Sequence, residues 1–260
     1  MTDIKEKLKN IKIDNLYIIS DFDHTLTAPT SLSSSDVISK NEVFPLEYRR
    51  KHDEIDNYYR KIEKDLTITK EVKKKAMQEW NDAVMNLLVE YKITESEINE
   101  AINQKDSMIL REGAKEFIEF THKNNIPLII ISAGVKLSIT SFLQNHHLLY
   151  DNVFVISNEI EFENGIVKPG QKALLTSQNK NRVVYPKQIN QAIENRHQVL
   201  LFGDNLGDAL MAPNDKQAIK FAFPYTKEKP AIMEFQKLFD VLEKDAPLFK
   251  EVIKVLKEKC

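Results

Sequence analysis

Two carboxylates one residue apart, Asp21 and Asp23, follow the apolar run Leu16, Tyr17, Ile18, Ile19 and then Ser20. A short apolar run ending in polar, turn-forming residues reads as a strand buried on both faces of a parallel sheet, and ligands bind in the crevice beyond the carboxyl ends of such strands. Three further polar signals stand in the same relation to apolar segments. Ser132 follows residues 127–131, a lysine (Lys172, or alternatively Lys168) precedes an expected helix near Gln171 to Ala173, and Asp204 and Asp208 sit in GDNLGD after residues 199–202. Parallel strands point all these ends the same way, so residues far apart in sequence share one pocket.

Several carboxylates in one pocket repel one another unless a cation is present. Hard oxygen donors suit Mg²⁺, which keeps several waters and binds through one or two carboxylates plus a phosphate. A carboxylate that attacks a phosphate dianion needs such a metal and a cationic side chain to neutralise the phosphoryl oxygens. Covalent catalysis through an aspartyl-phosphate, with a second carboxyl protonating the leaving oxygen and then activating water, uses this set. Ser132 and the backbone N–H groups of Ala133 and Gly134 would hold a further phosphoryl oxygen.

The elements that must position these groups alternate along the chain. Apolar strands are expected at residues 16–19, 127–131, 153–156, 199–202 and 219–223, the last being the final one. Helices lie between them, carrying Ala114, Phe117 and Ile118 and then Val135, Ile139, Phe142 and Leu143, and a small hairpin turns at Asn164-Gly165. Between the first and second strands the pattern differs. Residues 28–35 are polar loop, and the charged stretch to about Lys105 has helical periodicity: Thr69 caps a helix with an apolar stripe from Val72 to Tyr91, and Thr94 with Glu97 forms a capping box. This is a helical insertion rather than part of the sheet.

DFDHTLT resembles the DxDx[TV] signature of the haloacid-dehalogenase-like phosphohydrolases, Ser132 fits their second motif, and GDNLGD resembles their fourth. The segments YYRKIEKDLT, MQEWNDAVMNLL, LREGAKEFIEF, IISAGV and VISNEIEF are similar to the cytosolic pyrimidine 5′-nucleotidase (type III) family. The resemblance implies an α/β fold with a three-layer, Rossmann-like parallel sheet core, residues 1–27 and 106–260, and an inserted helical cap of the first type, residues 28–105. It implies Asp21 as nucleophile, Asp23 as acid/base, Mg²⁺ held by Asp21, the Asp23 carbonyl and Asp204 with Asp208 supporting, and Thr25 bracing the loop. Phosphate contacts would come from Ser132, Ala133 and Lys172 (or Lys168), and a cap glutamate, Glu63, would touch the base. The expected substrate is a nucleoside 5′-monophosphate, first a pyrimidine one. Other small phosphate esters, including methylated purine nucleotides, form the alternative, and a phosphoacceptor signalling domain is a third reading that lacks a large cap.

Composition agrees with a small-molecule enzyme. The 260 residues hold 37 Lys and Arg against 39 Asp and Glu, a balance with no general attraction to nucleic acid or membranes. The one cysteine, Cys260, fits a reducing compartment, and with no secretory signal or membrane span a cytoplasmic location is expected. Taken singly, Trp80 reads as packing within the cap, His24 as structural, and the basic runs at residues 49–51 and 73–75 as solvated helix faces.

Overall fold

The computed structural model describes residues 2–65, 67–104, 108–214, 216–244 and 246–260, with the side chains of residues 2 and 3 outside the description. The chain runs through α1 (Thr2–Lys7), β1 (Leu16–Ser20), α2 (Leu46–Lys64), α3 (Lys70–Glu90), α4 (Glu95–Ile102) and α5 (Ala114–Lys123). It continues through β2 (Leu128–Val135), α6 (Lys136–Asn145), β3 (Val153–Asn158), β4 (Phe162–Glu163), β5 (Ile166–Val167) and α7 (Lys187–Ile193). The last elements are β6 (Gln198–Gly203), β7 (Gln217–Ala222), α8 (Lys229–Leu238), β8 (Val241–Leu242) and α9 (Leu248–Lys257).

Six strands form one sheet in the order β3-β2-β1-β6-β7-β8, and every neighbouring pair is parallel. Every residue of β1 is buried, because its alternating side chains feed two separate apolar layers. Leu16 and Ile18 join Phe117 of α5, Ile139 of α6 and Phe249 of α9 on one face; Tyr17 and Ile19 join Ile189 of α7 and Phe235 of α8 on the other. This is the three-layer α/β arrangement. From β1 the chain first builds outward to β2 and β3, then returns to the opposite side for β6, so the strand order reverses at β1 and opens a crevice at its carboxyl end.

The insertion after β1 is helical. Thr69 accepts a 3.4 Å hydrogen bond from the Val72 N–H, and Thr94 and Glu97 make the reciprocal capping box at α4. The α3 stripe holds at Ala76, Leu87 and Leu88, whereas Val72 is 55% exposed in the first turn. Trp80 is half-buried and stacks on Tyr59 of α2 at 6.2 Å, outside the fully buried core. Tyr48, Leu88 and Ile98 share the apolar cluster under α5 and α9, so the helices are rooted in the main core. The two connections run side by side: Ala28 N–H donates to the Ile109 carbonyl, Arg111 N–H to the Leu26 carbonyl, and Thr27 bridges Leu110. The expected boundary at residues 105 and 106 lies outside the described residues.

The hairpin β4–β5 turns at Asn164 and Gly165, whose φ values of 52° and 76° give the left-handed pair that a two-residue hairpin requires. Two expectations fail. β8 extends the sheet beyond β7, and with only two residues it leaves no apolar run to read. No helix forms over residues 171–176. Side chains take the backbone groups there: Asn158 holds both the N–H and the carbonyl of Leu175, Asn179 holds the Thr176 N–H and the Leu174 carbonyl, and Gln78 and Asn81 of α3 reach the Ala173 and Leu175 carbonyls. Such bonds compete directly with helix hydrogen bonds.

Thr94→Ala removes one half of the capping box and is expected to cost about 1 kcal/mol, a fall in melting temperature of about 2–4 °C by thermal denaturation. The exposed, longer Thr69 cap is expected to cost less on the same substitution.

Candidate active site

The carboxyl ends of β1 and β6 bring Asp21, Asp204 and Asp208 together, with one carboxylate oxygen of each within 4.8 Å of the others. A lysine lies among them, and it is neither lysine expected from the sequence. Lys180 Nζ donates to Asp21 Oδ1 at 2.6 Å and to Asp208 Oδ1 at 2.8 Å, and all three side chains are buried. Lys172 is exposed, and Lys168 pairs with Glu161 beside the hairpin. The reason is the irregular segment 171–176: without a helix there, the chain carries on to a 3-10 turn, Lys180–Arg182, that faces the carboxylates. Gly207 in GDNLGD makes room for this path, since a Cβ there would lie 2.2 Å from the Ser177 carbonyl oxygen. That glycine was the available signal that backbone approaches the fourth motif.

Burial works against a charge on Lys180, but the Asp208 and Asp21 carboxylates outweigh it and hold the ammonium above the ordinary lysine value. Asp208 is pushed up to about 6, by burial first, while Lys180 and the backbone pull it down. Its second oxygen, Oδ2, accepts from the Asp204 and Asn205 N–H groups at 3.1 and 3.0 Å, which makes it a fixed buttress. Asp204 is raised well above the usual carboxylate range, by burial and then by the charges of Asp21 and Asp208. Three carboxylates facing one ammonium leave the cluster short of positive charge. Its all-oxygen donor set fits a hard divalent cation.

On the other side of β1 the strand β2 supplies Ser132, buried, whose Oγ accepts from the Gly134 N–H at 3.0 Å. The Ala133 and Gly134 carbonyls are held by Asn158 and Ser157 at the end of β3, each at 2.7 Å. Asp23 faces this stretch, where the pairing of β2 with β3 shifts register between Ile131 and Val135. Both of its carboxyl oxygens accept from Ser34, and burial raises its pKa while those two bonds lower it.

The loop that carries Asp21 and Asp23 is braced by residues the sequence reading passed over. Arg111 Nε donates to the Thr25 carbonyl at 2.8 Å and its NH2 group donates to the His24 carbonyl. The same guanidinium pairs with Glu243 at 2.9 Å and lies 4.2 Å over the Phe223 ring. Thr27 Oγ1 accepts from the His24 N–H at 2.8 Å, where His24 adopts φ 57°. The Thr25 hydroxyl, expected to brace this loop, is buried with no hydrogen-bond partner among the described residues. Glu63 occupies the last turn of α2, half-buried, near Tyr225, whose phenol is raised by burial and by the charges of Glu63 and then Asp204. Lys64 Nζ lies 5.6 Å over the Tyr225 ring, so the end of α2 meets the core beside the carboxylate cluster.

A model of the pyrimidine 5′-nucleotidase (UMPH-1) family matches residues 18–258. The chain belongs to this family. Proteins called 7-methylguanosine phosphate-specific 5′-nucleotidase in Mus musculus and Gallus gallus are each 30% identical to it, over 246 residues (90% of this chain, 82% of the mouse protein) and 255 residues (93% and 87%). The crystal structure of cytosolic 5′-nucleotidase IIIB (cN-IIIB) bound to cytidine has the same fold, with a TM-score of 0.81 at 24% identity over 99% of this chain and 90% of that one. The chain is thus a nucleotide 5′-phosphatase of the haloacid-dehalogenase-like fold, and the buried acidic cluster is where a divalent metal fits. None of its described helices is long and apolar enough to cross a membrane.

Two measurements test the cluster. Mg²⁺ at about 100 times its dissociation constant is expected to stabilise the protein by about 2.7 kcal/mol near neutral pH. The increment should shrink as pH falls from neutral through about 6, because the raised Asp204 carboxyl takes up a proton that competes with the cation and Asp208, at about 6, is protonated in the same range. Melting temperatures with and without MgCl₂ across that range check the sign, and Asp204→Asn should remove the increment. Lys180→Met is expected to lower turnover about 10²–10³-fold, the usual loss for one preorganised electrostatic contact. Lys172→Ala should leave phosphate release at the wild-type rate.

Proposed function

We propose that this enzyme hydrolyses nucleoside 5′-monophosphates with Mg²⁺ through an aspartyl-phosphate on Asp21. The observation that carries the reading is the buried contact of Lys180 with Asp21 and Asp208 beside Asp204, with Asp23 two residues beyond Asp21 at the end of β1. An Asp21 oxygen attacks phosphorus as the bond to the 5′-oxygen breaks, and Asp23 gives that leaving oxygen a proton. Asp23 then takes a proton from the water that displaces phosphate from Asp21, which restores both carboxyls. Lys180, hydrogen-bonded to Asp21, faces the transferring group; Ser132 and the Ala133 N–H hold a phosphoryl oxygen. Asp21, the Asp23 carbonyl and Asp204 would hold Mg²⁺, with Asp208 supporting, and the bound ion would supply charge neutralisation at the phosphoryl oxygens.

Residues 28–105 act in this reading as a cap that excludes water and admits only small leaving groups. Glu63, at the meeting of α2 with Tyr225, is assigned to the base. For the base itself, a pyrimidine (CMP or UMP) is the first assignment, supported by the family model and the cytidine-bound structure. The names of the mouse and chicken relatives favour a second, 7-methylguanosine monophosphate. The cytosolic setting in the structural relative's name supports a cytoplasmic location here.

Phosphate release from CMP, UMP, GMP and 7-methylguanosine monophosphate with Mg²⁺ is expected to favour the pyrimidines, and a rate led by the methylated purine selects the second assignment. A flat profile contradicts nucleotide specificity. Asp21→Asn should abolish release from every substrate, and Glu63→Ala should raise KM for the preferred nucleotide; retained turnover in Asp21→Asn contradicts the mechanism.

A further inference from the structure

Ser34 lies in the stretch between the nucleophile loop and α2, with no solvent exposure. Its backbone N–H donates to Asp23 Oδ1 at 2.6 Å and its Oγ donates to Asp23 Oδ2 at 2.7 Å, so one residue grips both carboxyl oxygens. The same Oγ accepts from the Val135 N–H at 3.3 Å, which ties the grip to the irregular end of β2 beyond Ser132. Gly134 is the counterpart: a Cβ there would stand 1.8 Å from Ser34 Oγ and 2.7 Å from Asp23 Oδ2. The missing side chain leaves the space that Ser34 fills.

Ser34 is also fixed to the helical insertion. Ser33 and Asp36 exchange hydrogen bonds at 3.3 and 3.0 Å, Lys40 pairs with Asp36 at 2.8 Å, and Lys40 reaches Asp56 of α2 at 4.0 Å. Asp56 in turn holds Arg60 through both carboxylate oxygens. A chain of contacts therefore runs from α2 to Ser34.

We infer that Ser34 is a positioning residue for Asp23: it aims the acid/base carboxyl from the start of the helical insertion. No bond is made or broken at Ser34. Its hydroxyl donates to ionised Asp23 and turns when Asp23 is protonated, and the proton passed to the leaving oxygen is replaced from the attacking water. This rests on the assignment of Asp23 as acid/base under Proposed function.

The test measures steady-state hydrolysis of the preferred nucleotide by Ser34→Ala, Asp23→Asn and the double variant. Ser34→Ala is expected to lower kcat about 10- to 100-fold, a share of what general acid–base catalysis supplies, with KM within about 2-fold of wild type. The double variant should be no slower than Asp23→Asn alone, because Ser34 acts through Asp23. Losses that add in the double variant, or a rise in KM with kcat unchanged, overturn the inference. Should Ser34→Ala fail to fold, Ser34→Cys carries the same test with a weak donor of similar shape. Normal turnover in Asp23→Asn overturns the acid/base reading itself, whereas normal turnover in Ser34→Ala beside an impaired Asp23→Asn overturns only the role of Ser34.

Discussion

The ion pairs of Lys180 with Asp21 and Asp208 set the terms for the rest of the structure. A buried ammonium is costly unless its donors are matched, and removing one partner from a buried pair costs about 3–5 kcal/mol. Here the ammonium and two carboxylates are contributed by three separate stretches: the end of β1, the 3-10 turn at Lys180–Arg182 and the turn after β6. Each must arrive in register for the others to be tolerated. The charge group therefore reports the strand order, since only a sheet with β6 beside β1 lets Asp208 and Asp21 share one ammonium.

Holding Lys180 in place needs a segment without regular structure, and polar side chains supply the order that a helix would have given. Asn158 ties Leu175 and the Ala133 carbonyl together, so the path to Lys180 and the irregular end of β2 are fixed by one amide. Gln78 and Asn81 extend the same path to α3. The helical insertion thus reaches the site by two routes, one along residues 173–175 to the lysine and one through Ser34 to Asp23. Both end on groups assigned to the reaction, which makes the seating of the helices part of the site's geometry.

The nucleophile loop is a third convergence. Arg111 stands just after the chain returns from the insertion and spends its guanidinium on the His24 and Thr25 carbonyls and on Glu243. A planar, permanently charged fork suits this task, because it satisfies several acceptors at once without giving up its proton. The start and the finish of the insertion are thereby clamped to the loop that carries the two aspartates.

Much of this was legible in the sequence. Continuous apolar runs marked β1, β2 and β6 because a strand buried on both faces must be apolar throughout, the partly exposed β3 and β7 kept enough apolar residues to be read, and caps at Thr69 and Thr94 and the Asn164-Gly165 turn are local chemistry that local sequence specifies. Asp21, Asp23, Ser132, Asp204 and Asp208 were legible as strand-end polar residues. Lys180 was not: it sits in a polar stretch with no apolar period, and a lysine looks the same in sequence whether solvated or paired with buried acids. Ser34 and Arg111 were hidden for the same reason, since each is placed by a partner far along the chain, and β8 because two residues leave no apolar run. The sequence by itself determined which strands are buried and which acids stand at their ends, because burial and turns leave periodic and local traces. Only the tertiary structure decided which lysine meets those acids and which serine holds Asp23, because pairing across distant segments leaves no local trace.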